Sequence, residues 1–136
     1  MILTEAKKEL IDAFKTYWEA FPISSPVPVA IPNQEFEKPS NSPFIRLEVR
    51  HSTGGAASIS TKHFIRKGFF FVQVFTLFES GSYLNDQLCQ IALNAFDGKD
   101  INGIWFRDST VREVGPDGKY YQQNVLHSFE YDEHKS

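Results

Sequence analysis

Apolar residues recur along the chain in two rhythms, and each rhythm predicts a different kind of element. Leu3, Ala6, Leu10, Ala13, Phe14, Tyr17 and Phe21 stand three or four residues apart, which puts them on one face of a helix from Thr4 to about Ala20. Glu5, Lys8, Asp12, Lys15 and Glu19 take the opposite face; Thr4 suits the N-cap and Pro22 the stop. Ile11 and Trp18 fall at the margin of the stripe and read either as peripheral core or as contacts to a neighbouring subunit. A second stripe of Leu84, Leu88, Ile91, Ala92 and Ala95, with Phe96 and Cys89 at its borders, predicts a helix that follows Ser80-Gly81-Ser82 and ends at Asp97-Gly98.

The other rhythm has a period of two. Gly68 to Thr76 is almost wholly aromatic or β-branched and too short for a globular helix, so it predicts a central strand. Alternation sends Phe69, Phe71, Gln73 and Phe75 to one face and Phe70, Val72, Val74 and Thr76 to the other, so both faces need cover. Helices of the same chain can supply one cover; the apolar remainder on the second face points to self-association. Phe44 to His51 alternates Ile45, Leu47 and Val49 against Arg46, Glu48 and Arg50, the pattern of a half-exposed strand.

Ser52 to Ser58 is a run of small residues that predicts a flexible loop. Ile59 to Ile65 can pair back, and Arg66-Lys67-Gly68 then turns the chain into the aromatic strand. Ile104 to Val114 and Tyr120 to Tyr131 read as a hairpin about a tight turn at Gly115-Pro116-Asp117-Gly118, followed by a charged, frayed end. Between the first helix and the first full strand, six prolines from Pro22 to Pro43 predict an extended connection, with Val27 to Ile31 at best a short edge strand. The expected architecture is a single α+β domain over residues 1–136. Its order is helix, meander, helix, hairpin, with a mixed, mostly antiparallel sheet of about five strands and two helices on one face.

Charge and composition remove some functions and add none. Fourteen Lys and Arg stand against 17 Asp and Glu, a formal charge of −3, which argues against broad cationic binding of nucleic acid. The single Cys89 leaves no intramolecular disulfide and no cysteine-based zinc site. No segment has the length and apolarity of a membrane span, and the first residues lack the pattern of a signal peptide, so a soluble cytoplasmic protein without a membrane partner is expected. The histidines lack metalloprotease spacing, no serine sits in a nucleophile elbow, and Gly54-Gly55 lacks the remaining residues of a phosphate loop. No active site, metal or cofactor is indicated. Arg46, Arg50, Lys62, Arg66 and Lys67 cluster on the meander, either as a solvated strand face or as a surface for an acidic partner.

One resemblance carries a functional expectation. Phe44-Ile45-Arg46-Leu47, Gly68 with Val72-Gln73-Val74-Phe75-Thr76, Leu88 and Phe96, and Tyr121-Gln122-Gln123-Asn124-Val125 followed by Phe129 and Asp132 together resemble phage tail-completion proteins related to the tail terminators of long-tailed phages, the minor tail protein U type. Leu77 stands where that pattern would have proline. The resemblance implies a non-enzymatic virion protein, made in the host bacterial cytoplasm. Such a protein forms a ring, hexameric in that family, on the end of the tail tube. Its partners would be further copies of itself, the major tail tube protein and the head–tail connector. On this reading Ser52, Gly54, Gly55, Ser58, Lys62, Arg66 and Lys67 meet the tube or another partner, and Ile11, Trp18, Phe69 and Phe71 meet the neighbouring subunit. The alternatives are a head–tail neck protein or, from another class, a small α+β ligand-binding protein or enzyme.

Overall fold

The computed structural model describes residues 2–52, 55–58, 63–80 and 82–134. Helix α1 (Leu3–Glu19) leads into β1 (Val29–Ala30), β2 (Phe44–His51), β3 (Gly55–Ser58) and β4 (His63–Leu77). Helix α2 (Tyr83–Phe96), β5 (Asp100–Ile101), β6 (Ile104–Asp117) and β7 (Tyr120–His134) follow. The seven strands form one sheet in the order β1-β2-β4-β7-β6-β5, with β3 beside the start of β4. All pairings are antiparallel except the short β1–β2 pair. The α+β class and element order are those expected; against the expected five or so strands, four long ones, β2, β4, β6 and β7, carry the sheet, and β1, β3 and β5 add four residues or fewer each.

The aromatic strand occupies the centre. Val72 pairs with Leu47 on one side and Val125 on the other, and all three are buried. Phe70, Val72, Val74 and Thr76 face the helices and are wholly buried. A chain of rings ties the layers together: Phe14 of α1 lies 5.5 Å from Phe70, Phe70 5.0 Å from Phe96 of α2, and Phe96 stacks on Phe106 of β6 at 4.4 Å. Large aromatic areas leaving water in this way supply most of the favourable free energy of such a core.

Five local expectations change. Arg66-Lys67-Gly68 is not a turn but the middle of β4, which runs unbroken from His63 to Leu77. Gly55 to Ser58 is a strand rather than a loop, because β3 continues along β4 where β2 stops. Asp132 to His134 is not frayed; it completes the β4–β7 ladder, with His134 opposite His63. β6 continues through Gly115 and Pro116 to Asp117, absorbing a bulge at Gly115 (φ +100°), and the reversal falls at Gly118-Lys119. In α1 the cap is Ile2 rather than Thr4, without a side-chain capping bond.

Candidate assembly surface

The two faces of the sheet differ in cover. α1 and α2 lie on one, while the other carries Phe69, Phe71, Gln73 and Phe75 of β4 between their cross-strand neighbours. At one end the chain covers this second face itself. Phe44, Phe75 and Tyr120 form a small buried cluster under Phe36, with Phe44 stacked on Phe75 at 4.6 Å. The Tyr120 hydroxyl donates to the Pro39 carbonyl at 2.5 Å, and Lys38 Nζ sits 5.1 Å from the Tyr120 ring centroid. The proline-rich segment is thus a strap: its fixed φ angles keep it extended, and its apolar anchor closes one end of the face.

The rest of the face is open. Phe69 is 39% exposed and Trp105, opposite Glu130 on β6–β7, is 41% exposed. Phe71 is half-buried and, with Leu126, Asn124, Thr110 and Arg112, lines a notch of about 50 Å³. Around these rings stand Arg46, Glu48 and Arg50 of β2, Lys67 of β4, Arg112 of β6 and Glu130 of β7. Arg50 pairs with Glu48 at 2.7 Å and lies over Phe71, and Arg107 pairs with Glu130. An exposed apolar strip rimmed by charge is the pattern of a contact surface.

The residues expected to meet partners scatter. Phe69 and Phe71 lie on the open face, and Ile11 is half-buried against the core. Trp18 is corrected: it is wholly buried, its Nε1 donates to the Val27 carbonyl at 3.2 Å, and Ser24 Oγ donates to the Trp18 carbonyl at 2.6 Å. The loop after α1 folds under the helix end and encloses the ring, so it offers no surface to a neighbour. Ser52 is fastened through both its amide and its hydroxyl to the Lys67 carbonyl. The basic cluster divides, because strand alternation sends Lys67 to the open face and Arg66 to the other. Gly55 and Ser58 belong to the backbone of β3; Gly54 and Lys62 lie outside the described residues.

The helix-covered side holds a polar network that the sequence reading did not single out. Asn85 is wholly buried on α2, and its amide nitrogen lies 3.1 Å from the Val74 carbonyl, 3.0 Å from Thr76 Oγ1 and 3.0 Å from the Tyr121 carbonyl. Gln123 donates to both Asn85 and Asp86. Asn85 stands three and four residues before Leu88 and Cys89, so its place on the buried stripe was readable from spacing. Cys89 donates to Asn85 Oδ1 at 3.3 Å, and burial, with a smaller push from Asp86, raises its thiol to about 12. It is a packing residue.

His127 is wholly buried, with Nε2 2.9 Å from the Ala92 carbonyl and Nδ1 2.6 Å from Ser109 Oγ. A carbonyl only accepts, so Nε2 carries the proton and Nδ1 accepts from Ser109. Burial lowers the imidazole below its usual 6.5, outweighing the Ala92 bond and the Asp97 charge that raise it. The unfolded chain therefore takes up this proton first, and stability present above about pH 6.5 is lost as the pH falls below it. Denaturant melts at pH 7.5 and 5.5 should show a loss of about 1 kcal/mol in the native chain. The loss should shrink in His127→Gln; an equal slope in both would reject this assignment.

Among the described residues, no three of His, Cys, Asp and Glu stand close enough to share a metal ion. A groove of about 460 Å³ between residues 30–36 and β2 has Arg46 and Glu48 as its titratable groups. Among the described residues, no helix is long and apolar enough to cross a membrane.

Comparison with known proteins agrees with this geometry. No curated protein matches the sequence. One solved structure superposes over 100% of this chain and 99% of its own with a TM-score of 0.76 at 15% identity, a likeness of fold. The family model described as phage tail terminator protein matches residues 9–123, from within α1 to the fourth residue of the final strand. With the greater part of the chain matched, the protein belongs to the phage tail terminator family and is a structural component of a phage tail.

Proposed function

We propose that the protein caps the tail tube as a ring of identical subunits, a hexamer by family likeness, which ends tube growth and offers its outer surface to the head–tail connector. The observation that carries this reading is the open face, where Phe69, Trp105 and Phe71 remain uncovered by any helix of the same chain. A ring gives such a surface a place against neighbouring copies. Growth would stop because each subunit has one side that fits the tube and none that recruits another layer. The tube side would be the β3–β4 hairpin, with Ser52, Gly54, Gly55, Ser58, Lys62, Arg66 and Lys67 on or beside it. Assembly would take place in the host cytoplasm, and the net charge of −3, repeated around a ring, would discourage passing DNA from adhering.

Purified tube protein should polymerise to open-ended lengths alone and to short tubes with end-bound rings when this protein is added, as counted in negative-stain images. Deleting residues 54–57 should abolish capping while the circular-dichroism melt stays cooperative. Retained capping by the deletion would remove the hairpin from the tube contact. Failure of the native chain to bind tube ends would remove the function itself.

A further inference from the structure

The sheet ends beyond β7 on β6, and most of that edge is unpaired. β5 meets only Ile104 and Trp105, and the Phe106 amide donates to the Lys99 carbonyl. From Arg107 onward β6 has β7 on one side and, among the described residues, no strand on the other. Alternate N–H and C=O groups of the run therefore point outward without a ladder partner. Arg107 to Val114 is exposed apart from half-buried Ser109, and the apolar Val111 and Val114 are 42% and 51% exposed. An edge of this length can take a further strand.

The residues along the edge select which strand. Two copies of β6 can pair antiparallel about a two-fold axis normal to the sheet, which centres the register on one residue. Centred on Thr110, the register sets Asp108 of each copy opposite Arg112 of the other. Neither side chain has an ion pair within its own chain among the described residues. Both lie on the open sheet face, Asp108 beside Lys67 and Ser128 and Arg112 beside Phe71 and Asn124, as cross-strand partners must. Arg107 also falls opposite Glu113, but the bulge between Phe106 and Ser109 and the bond to Glu130 withdraw it. A centre at Ser109 or Val111 sets Asp108 and Arg112 against uncharged residues, and one at Asp108, Arg112 or Glu113 sets that residue against its own copy. Charges and bulges ordinarily protect an edge from pairing; here they disfavour every register but the one at Thr110. We propose that β6 of one copy pairs antiparallel with β6 of a second copy about Thr110, joining the two sheets into one. The contact is isologous and closes after two copies. It is separate from the heterologous contact that a ring requires, and it stands independently of the ring reading.

The test reads dimer formation by sedimentation velocity over a concentration series at low salt, with cooperative melts as the check that each variant folds. The native chain should pass from monomer to dimer. Asp108→Arg and Arg112→Asp, each at an exposed residue, place like charges opposite one another at both ends of the contact and should each weaken the dimer at least about tenfold. Mixed in equal amounts, the two variants should form a heterodimer to within about threefold of native affinity, because every arginine then meets an aspartate. Antiparallel partners stand about 4.5–5.5 Å apart, within disulfide reach. Thr110→Cys should therefore link two chains under mild oxidation and Val114→Cys should not, the native Cys89 being buried. A native chain that stays monomeric overturns the pairing, as do single variants that dimerise like native or a mixture no tighter than either variant alone. Equal cross-linking at Thr110→Cys and Val114→Cys overturns the register. Arg112→Asp losing tube binding while self-associating like native overturns the pairing too, since the tube protein would then be the occupant of the edge.

Discussion

Gly68→Ala should destabilise the protein by about 3 kcal/mol, a large part of the 5–15 kcal/mol that holds an ordinary domain together. The cause is space and not backbone freedom. An added Cβ would stand 2.4 Å from the Arg50 carbonyl oxygen and 2.6 Å from Phe129 Cζ, with His51 Cα at 3.2 Å. Phe129, the cross-strand partner of Gly68, lays its ring over the missing side chain, so the glycine and the aromatic form one packing unit. Truncating Phe129 would relieve the ring contact but leave the clash with β2 backbone, so Gly68→Ala with Phe129→Ala should be no more stable than Gly68→Ala alone. Urea unfolding of the three proteins decides this. A Gly68→Ala midpoint equal to native would mean that β2 yields without cost.

Asn85→Ala should cost a similar amount, about 3 kcal/mol, although it removes only a small polar side chain. The amide spans from α2 to both central strands, reaching Val74 and Thr76 on β4 and Tyr121 on β7. Its loss leaves one Gln123 N–H, whose other hydrogen still reaches Asp86, and the Thr76 hydroxyl without their partner in a buried site, where an unmet polar group costs more than its bond contributed. Asn85→Leu should be no better, since shape is restored and partners are not. The measurement is the unfolding free energy together with hydrogen exchange of α2, which should lose protection ahead of β7. Uniform exchange in all elements with unchanged stability would show that water satisfies the site.

These two residues mark the limit of what the sequence yields by pattern. Periodicity sufficed for both helices, for the faces of β2 and β4, and for the inference that Phe69 and Phe71 would stand uncovered. It failed wherever meaning depended on a distant strand. Gly68 follows Arg66-Lys67 and reads locally as a turn; only the approach of β2 and Phe129 makes it a mid-strand glycine. Trp18 sits at the stripe's edge by spacing and enters the core because Ser24 and Val27 fold back to bond it. The open face was half legible: its β4 rings followed from alternation, but Trp105, Arg112 and Leu126 joined them through hairpin register, which one bulge can shift.

The β4–β7 ladder, finally, joins Leu77 to Tyr120 and His63 to His134. Closing such wide loops comes before their contacts repay the lost chain entropy, which assigns folding to the slow, non-local class of milliseconds to seconds. Throughout that interval Phe69 to Phe75 lacks its neighbour and is the most aggregation-prone stretch of the nascent chain. The last hairpin thus acts as guardian of the middle strand, and slowing its arrival would show first as inclusion bodies, with no change in the finished fold.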